Sequence, residues 1–456
     1  MSDFFHRFAI LFKVGLIAFF ALLLLIPLGM VESVMHERMQ RRDEAVRDIT
    51  STWGGTQTLA GPVLVVPCEY NWEETETKLG PKGPEMVKVT RIGTYQVCFL
   101  PDELFVDGSI EPVRRHRGIY ESILYRADLH LRGSFAHADP EPYRPPNGKI
   151  RWDEAYLSLS VSDLRGVRDI LKLHWNDAEL PVEPGVNLPG FSSGVHVKLP
   201  EGGGGRRDFE LNFSVNGSDT LNFTPAGVHC QVNLKSTWTS PSFCGAFLPA
   251  RYELNPKGFN AWWEIAYYGR KYPQSWLTRD GSAFSSESSR ESAFGVRFAN
   301  ANEQYRSVER ALKYGILFIT LVFLTFFLFE ITCRLRVHVF QYILVGAALC
   351  LFYLALLSLS ELIPFAAAYV TATIAGTLLI SLYSLSVLKS GRRTLLVTAG
   401  MLGIYAFLYV ILQLEDYSLL VGTVGLFLAL GAVMFATRKI NWYGDEPCKP
   451  PALPKN

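Results

Sequence analysis

The sequence predicts a membrane protein in which a bundle of six transmembrane helices carries one large all-β domain of the antiparallel sandwich or jelly-roll-like type. Six apolar segments reach the length of about 20 residues that a spanning helix needs. The stretch 32–310 is instead polar, charged and rich in Gly and Pro. From residue 312 onward, charges are confined to short islands. The chain therefore combines a membrane part with a large domain outside the bilayer.

The six apolar segments are expected to be the spanning helices, and they occupy residues 8–30, 312–332, 339–360, 363–388, 394–414 and 417–437. Lys13 interrupts the first of them, which is followed by no small-residue cleavage site. Residues 1–31 are therefore predicted to be an uncleaved signal anchor rather than a removable signal peptide. Residues 311–438 are predicted to form a five-helix bundle, and 439–456 a tail.

Orientation follows from the loops. Alternate connections of the bundle share one face, and that face carries Arg334, Arg336, Lys389, Arg392, Arg393, Arg438 and Lys439. The opposite connections, SELIP and LEDY, carry only acids. The positive-inside rule makes the basic face cytoplasmic, so both termini are expected in the cytoplasm and residues of about 32–310 outside. Four arginines after the first helix oppose this assignment, but long translocated domains escape the rule more readily.

Residues 32–55 are expected to form a juxtamembrane helix. Val31, Met35 and Met39 recur at helical spacing on one face. The helix should end at Trp53-Gly54-Gly55, which is predicted to be a structural junction, because glycine permits positive φ and close backbone approach. Transmission of a signal along this helix is the alternative to a simple stalk.

Residues 56–310 are expected to form the β-rich domain, because short alternating or β-branched runs are separated by turn signals. The dipeptide Asn216-Gly217 predicts a hairpin turn. The segment PSFCGAFLP is predicted to be a second structural junction, in which prolines end strands and a glycine permits close approach. Its marker residues are Pro241, Phe243, Gly245 and Pro249.

Motifs of enzymes and cofactor sites find no support. Residues 190–194 match G-x-S-x-G, but a strand pattern follows where the nucleophile elbow requires a helix. Residues 202–205 are a glycine run that opens onto a strand and not onto the helix of a phosphate loop. Histidines do not cluster at metal-ligand spacing. The sequence therefore predicts no enzyme, cofactor or metal site.

Composition excludes nucleic acid as a partner. It does not decide whether the cysteines form disulfides. The net charge is +1, and no basic stripe with interleaved aromatic residues is present. Four cysteines lie in the predicted outer domain, at positions 68, 98, 230 and 244. They permit either two disulfides or four buried thiols. Outer-domain aromatics near residues 262–276 are either core residues or a platform for sugars or the membrane surface.

The carboxylates of the membrane part are the candidate functional residues. Glu361 and the pair Glu415-Asp416 lie at two tight helical hairpins on the predicted outer face, and Gln413 lies one turn inside. By segment length they are interfacial, and we expect them to mark helix ends and dock the outer domain. A hydroxyl stripe along 369–384 favours helix packing. A transport path lined by the carboxylates is the alternative.

The chain resembles the CreD family of bacterial inner-membrane proteins over essentially its full length. The resemblance rests on STWGGTQTLAGPVLVVP, SPSFCGAFLP, YGILFITLVFLTFFLFE, QYILVGAALCLFYLALLSLSE, LQLEDYSLLVG and TRKINWY. It implies an inner-membrane location, a periplasmic β domain and a role in cell-envelope integrity. It also implies a stress response involving a two-component system and altered colicin tolerance. It carries no catalytic or ligand-binding residues.

The expected function is therefore that of a non-enzymatic envelope-maintenance factor. Its expected partners are the lipid bilayer and a periplasmic protein or envelope polymer, and a homo-oligomer is left open. A transporter or channel with acidic groups at its periplasmic mouth is the first alternative. An envelope-modifying enzyme is the second.

Overall fold

A computed structural model describes residues 2–438 except 81–82, 145–147, 201–204, 281–282, 299–302, 333–336, 389 and 415–416. The chain forms two compact units. The helical unit comprises Met1–Asp43 and Ala301–Asn456, and the β unit comprises Glu44–Asn300.

Apart from one six-residue helix within the β unit, the α-helices of the described chain follow the apolar segments and the polar residues that flank them. In order they are α1 Ser2–Leu23, α2 Leu25–Trp53, α3 Ser286–Glu291, α4 Glu303–Lys313, α5 Gly315–Thr332, α6 Val339–Ser360, α7 Phe365–Leu388, α8 Gly391–Gln413 and α9 Ser418–Thr437.

Each of the six apolar segments contains a helix, and most are long enough to cross a bilayer. Among the described residues, four helical stretches are sufficiently long and apolar, at Phe12–Trp53, Val339–Ser360, Phe365–Leu388 and Gly391–Gln413. The pair α4–α5, bent by 50°, would be a fifth span if counted as one. A shorter apolar stretch of α9 covers Leu420–Phe435. The prediction of several apolar helices of spanning length is therefore confirmed, and the prediction that six of them cross the membrane stays a prediction.

One face of α1 and α2 packs into the core of the helical unit. Leu24, Leu28, Val31 and Met35 are buried and follow one another at three- or four-residue spacing. This spacing puts them on one side of a helix with 3.6 residues per turn. The predicted apolar stripe beyond the first span is thus used for packing as far as Met39, which is half-buried against the same core.

The β unit is built from strands whose alternating pattern matches a half-buried sheet. In chain order they are β1 Gln57–Gly80, β2 Gly83–Phe99, β3 Glu103–Arg117, β4 Tyr120–Phe135, β5 Gly148–Ile150, β6 Tyr156–Val161, β7 Lys172–Trp175, β8 Ala178–Pro181, β9 Glu183–Pro184, β10 Gly194–Lys198, β11 Arg207–Ser218, β12 Thr220–Phe223, β13 His229–Ser236, β14 Ser242–Gly245, β15 Arg251–Asn255, β16 Gly258–Ala266, β17 Ser275–Leu277 and β18 Phe294–Arg297.

In the part of the chain that the structure describes, these strands form two sheets that share one buried core. The ten-stranded sheet has the order β14-β18-β12-β1-β6-β10-β9, with β2 and β5 also beside β1 and β17 beside β2. The eight-stranded sheet has the order β15-β16-β13-β3-β4-β11-β7-β8. The large β-sheet domain predicted from the sequence is confirmed.

The prediction of an antiparallel sandwich or jelly-roll-like domain is wrong at two strand pairs, which are parallel. β12 runs parallel to β1, and β13 runs parallel to β3. Parallel neighbours need a long crossover connection, and here the intervening strands of the domain supply it. Short-range turn signals, which report antiparallel hairpins, cannot reveal such pairs.

The predicted hairpin at Asn216-Gly217 is also wrong. Both residues lie inside β11, and the chain leaves that strand at Asp219, whose φ is +60°. β12 then joins the other sheet. Gly217 is required by close packing, because a Cβ there would lie 2.2 Å from the Tyr125 hydroxyl. The glycine marks a close side-chain approach and not a turn.

Candidate functional site

A charged cluster ties three helices of the helical unit together. The Lys13 ammonium of α1 forms an ion pair with Glu330 of α5 and donates a 2.6 Å hydrogen bond to the carbonyl of Val337. The other Glu330 carboxylate oxygen accepts a 3.0 Å bond from the Tyr342 hydroxyl of α6. The side chains of Lys13 and Glu330 are 22% and 11% exposed. We call Lys13, Glu330, Val337 and Tyr342 the Lys13 cluster.

Sequence reasoning missed this cluster as a site. In the sequence, Lys13 is visible only as a charge that interrupts an apolar segment. Glu330 stands 317 residues further along the chain. The available signal was two opposite charges, each at the edge of an apolar segment. Charges in such places usually find a partner, but the pattern does not say which one.

Glu361 lies in a second charged cluster, at the other end of α6. It is the residue that caps the C-terminus of that helix. One carboxylate oxygen accepts a 3.2 Å hydrogen bond from the Tyr305 hydroxyl of α4, and the other lies 3.8 Å from the Arg38 guanidinium of α2. A carboxylate at a helix C-terminus opposes the helix dipole, and the arginine offsets that cost. We call Arg38, Tyr305 and Glu361 the Glu361 cluster.

The length of α6 separates the two clusters. Its 22 residues rise about 33 Å, close to the thickness of about 30 Å of a bilayer's hydrocarbon core. If α6 spans the membrane, the two clusters lie at the two boundaries of the hydrocarbon core. The Glu361 cluster joins two helices that connect to the β unit in sequence, because α2 runs into that unit at Glu44 and α4 follows it.

The remaining predicted acidic site is only partly described. Gln413 is the last residue of α8 and is exposed. Glu415 and Asp416 lie outside the described residues. The expectation that these carboxylates approach Glu361 therefore stays a prediction.

Aromatic side chains fill the middle of the bundle between the clusters. The ring centroid of Tyr405 lies 4.7 Å from Phe318 and 4.8 Å from Phe352, and the Tyr369 hydroxyl donates a 2.8 Å bond to the Tyr405 carbonyl. Among the described residues of the helical unit, no Asp, Glu, Lys or Arg is buried. Several hydroxyls here are buried without a protein partner, namely those of Tyr353, Thr373, Thr377, Ser384 and Tyr405.

The junction predicted after α2 is a tight packing point inside the β unit. Gly54 has φ +134°, and a Cβ there would lie 2.7 Å from the Asn216 carbonyl oxygen. The Trp53 indole N–H donates a 3.4 Å bond to the Tyr125 carbonyl, and the Arg115 guanidinium stacks over its ring at 5.1 Å. Glycine is used at position 54 because both the conformation and the space exclude a side chain.

Asp163 and Gln57 complete this junction. The Asp163 carboxylate accepts bonds from the Gly55 N–H at 3.0 Å and from the Arg165 guanidinium at 2.8 Å. The fully buried Gln57 side chain donates 3.0 Å bonds to the carbonyls of Asp163 and Asn216. The hydrogen bond from Arg165, together with the N–H groups of Gly55 and Arg165, lowers the pKa of Asp163 to about 2.

The second predicted junction lies at the edge of the ten-stranded sheet. Pro241 immediately precedes β14, and Pro249 stands between β14 and β15. The Phe243 ring packs edge-on against Trp263, with ring centroids 5.7 Å apart. Gly245 has φ +100°, and a Cβ there would lie 2.2 Å from the Ala293 carbonyl oxygen. The sequence pattern thus coincides with strand ends and a close backbone approach.

Two open grooves lie side by side on the solvent face of the eight-stranded sheet. Their volumes are 400 and 480 Å³, and His174 lines both. Most of the lining side chains are polar; they are Glu103, Arg132, His174, Asn176, Arg206, Asp208 and Glu210 in the first groove, and Asp128, His130, Asp169, Lys172, His174, Asn212 and Ser214 in the second.

Each lysine and arginine that lines these grooves lies beside a carboxylate. Arg206 lies 3.2 Å from Glu103 and 2.9 Å from Asp208. Lys172 lies 2.5 Å from Glu179, and Arg132 and His130 likewise have carboxylates within 4 Å, at 3.6 and 2.7 Å. The surface therefore offers a dense array of hydrogen-bond donors and acceptors, in which cations and carboxylates are intermixed and the five lining carboxylates outnumber the three lining lysine and arginine side chains. Phe105 and the exposed Ile170 add apolar contact area.

The structure also locates the serine of the G-x-S-x-G pattern and the four cysteines of the β unit. Ser192 of the G-x-S-x-G pattern is exposed in a bend that opens onto β10. Cys68, Cys98, Cys230 and Cys244 are free thiols, so the disulfide alternative is not realised. Burial raises the pKa of Cys98 and of Cys230 to about 12, which leaves little reactive thiolate.

The aromatic residues near 262–276 divide between the core and the surface. Trp263, Tyr272 and Trp276 are buried, whereas Tyr267 and Tyr268 are exposed. No group of three or more His, Cys, Asp or Glu that could hold a metal is found within the described ranges.

Comparison with known proteins gives two matches. Residues 9–443 match the family described as inner membrane protein CreD. The chain is also 33% identical over 424 residues to the inner membrane protein CreD of Escherichia coli (strain K12), which covers 92% of this chain and 91% of that protein.

Proposed function

The chain belongs to the CreD family of inner membrane proteins, and we propose that it maintains cell-envelope integrity under envelope or cell-wall stress. In this proposal the β unit binds an envelope polymer or a partner protein, and the helices anchor it in the inner membrane. Altered colicin tolerance would follow from the same role. The protein acts by binding and not as an enzyme.

The paired grooves are the observation that carries this proposal. Planar amide, carboxylate, imidazole and guanidinium groups bond well to hydroxyl groups. A strongly charged partner would instead be matched by a surface of one sign, and here the cations lie beside carboxylates. Of the two partner classes, the grooves favour a polymer of neutral sugars over a charged protein.

We propose that six membrane-spanning segments anchor the protein. α4 and α5 together form one bent span, and α9 forms the last. The basic loops face the cytoplasm, which makes both termini cytoplasmic and the β unit periplasmic. The Lys13 cluster would then lie at the cytoplasmic boundary and the Glu361 cluster at the periplasmic boundary.

A titration with neutral glycan tests the proposal. The full chain in lipid nanodiscs is titrated with chitohexaose, a soluble neutral sugar oligomer, and in parallel with dextran sulfate and polylysine. We expect saturable binding of chitohexaose alone. The double variant His174→Ala/Asn212→Ala should bind about tenfold more weakly, because it removes two hydrogen-bonding groups worth about 1 kcal/mol each or somewhat less.

Ile92→Ser is the matched control, because Ile92 is 64% exposed and lies on β2, away from both grooves. It should bind chitohexaose like the unaltered chain. Absence of saturable chitohexaose binding, or equal affinity of the groove variant, would contradict the proposal.

Transport is the second candidate function, and the unpartnered hydroxyls of Tyr353, Thr373 and Tyr405 in the bundle favour it. In this alternative, water enters the bundle between the two clusters. Liposome flux assays with Glu361→Gln and Asp416→Asn decide it. If both variants conduct like the unaltered chain, or if the unaltered chain conducts nothing, the transport function is excluded.

A further inference from the structure

β15 is an exposed edge of the eight-stranded sheet. All five of its residues are exposed, and in the described chain it pairs only with β16. The opposite edge, β8, ends in Pro181, and β9, an edge of the other sheet, contains Pro184. Proline and short length protect edges from pairing with other chains. β15 contains no proline.

The apolar face of β15 is left partly uncovered. Tyr252 pairs with Ala261, and Leu254 pairs with Phe259. Cross-strand partners share a face of the sheet, and Ala261 and Phe259 are buried in the core. Tyr252 and Leu254 therefore point to the core side, yet they remain 56% and 54% exposed. The Phe243 ring covers part of Tyr252, with ring centroids 5.4 Å apart, and the rest of this apolar edge is open to solvent.

The backbone of β15 is arranged to accept another strand. A two-residue turn joins it to β16, with Asn255 and Gly258 as the closing pair. Counting back from that pair, every second residue of β15 forms backbone hydrogen bonds to β16, and the residues between them do not. The peptide groups of Tyr252 and Leu254 therefore point away from β16. They are the groups that an added antiparallel strand would bond.

Charge complementarity identifies a second copy of the same strand as the occupant. Arg251 and Glu253 lie two residues apart on the outer face. If two β15 strands pair antiparallel with Tyr252 opposite Tyr252, Arg251 of each copy faces Glu253 of the other. A register shifted to put Glu253 opposite Glu253 would bring like charges together, which is destabilising. The backbone pattern and the charges thus favour one symmetric register.

We propose that two copies of this chain associate through β15, joining their eight-stranded sheets about a two-fold axis at Tyr252. Each copy presents the same patch to the other, as a two-fold interface requires. The new strand pair covers the core-side apolar surface of Tyr252 and Leu254. This association is independent of what the grooves bind.

Oxidative crosslinking tests the register. In an antiparallel hydrogen-bonded pair, opposite Cα atoms lie about 5.5 Å apart, within disulfide range. We expect Tyr252→Cys in the full chain, oxidised in native membranes, to give a covalent dimer well above the wild-type background. Ile92→Cys, which is 64% exposed on the same unit and away from both grooves, is the control for random collision. A dimer yield for Tyr252→Cys no greater than that of Ile92→Cys would overturn the proposal.

Charge reversal provides the second test, in the Tyr252→Cys background. Arg251→Glu and Glu253→Arg singly should lower the dimer yield about tenfold, because each places like charges opposite one another twice. The double reversal should restore it. Thermal unfolding checks that each variant is folded. A folded double variant that fails to recover the dimer would overturn the register, as would single variants that crosslink normally.

Discussion

At the residue scale, the Lys13–Glu330 pair is the strongest test of how the helices are held together. Both groups are largely removed from water and satisfy each other's hydrogen bonds, with Tyr342 and the Val337 backbone as further partners. Removing one partner of such a pair leaves an uncompensated charge, which costs more than the pair itself contributes.

Glu330→Gln should therefore lower the free energy of unfolding of the detergent-solubilised chain by about 2 kcal/mol. The measurement is thermal or denaturant unfolding. Glu309→Gln is the control, because it breaks an exposed pair with Lys313 within α4 that is worth about 0.5 kcal/mol at most. Replacing both members, as Lys13→Met/Glu330→Leu, should recover much of the loss. Equal effects of Glu330→Gln and Glu309→Gln would contradict the account.

The low pKa of Asp163 predicts how the stability of the protein changes in acid. Its pKa is lowered in the folded state to about 2, so its contribution is present above the unfolded value near 3.9 and is lost as pH falls toward 2. Asp163→Asn should lower the free energy of unfolding by about 1–2 kcal/mol at neutral pH. The difference between variant and wild type should shrink from pH 4 down to pH 2. A difference that does not change with pH would show that the carboxylate charge does not stabilise this junction.

At the element scale, the turn after α2 provides a matched pair of neighbouring glycines. Gly54→Ala forces a Cβ to 2.7 Å from a backbone oxygen at φ +134°, whereas at Gly55 the nearest contact would be a side-chain oxygen at 3.6 Å and φ is not in the left-handed region. We expect Gly54→Ala to cost about 2 kcal/mol and Gly55→Ala less than about 0.5 kcal/mol. Unfolding of the two variants under the same conditions measures this, and equal losses would contradict the packing described for Gly54.

Glu361 links elements that are distant in sequence, and hydrogen exchange can detect that link. Glu361→Gln removes the charge facing Arg38 and weakens the bond from Tyr305. Backbone amides of α4 should then exchange about tenfold faster, which corresponds to about 1.4 kcal/mol of lost local stability. Glu309→Gln, within the same helix, should cause a smaller change. Unaltered α4 exchange in Glu361→Gln would mean that the cluster does not hold this helix.

Elements with a strong hydrophobic periodicity in the sequence were predictable. Elements defined by contacts between distant parts of the chain were not. The apolar segments and the helix ending at Trp53 follow from hydrophobic periodicity and glycine. The turn predicted at Asn216-Gly217 failed because Gly217 accommodates the Tyr125 side chain from another strand. Local patterns report backbone conformation, and a glycine selected for tertiary space produces the same pattern.

At the scale of the whole molecule, the sequence predicts the combination of apolar helices and a large β domain, because the two parts differ sharply in composition. It did not predict the parallel pairs β1–β12 and β3–β13 or the Lys13–Glu330 pair, since each joins residues far apart in the chain. It placed Glu361 at a helix end but could not supply Arg38 and Tyr305 as its partners. The grooves were also missed, because they arise largely from side chains of β3, β4, β7 and β11 that meet only in the folded sheet.

Photo-crosslinking in living cells tests the central claim most directly, namely that the β unit engages an envelope polymer through its groove face. A photoreactive amino acid replaces Ile170 at the groove, or Ile92 on β2, which is 64% exposed, as the control. After irradiation, we predict that the position-170 protein carries a glycan adduct that glycosidase digestion removes, and that the position-92 protein does not. A position-170 adduct consisting only of protein, or no adduct at all, would contradict the claim.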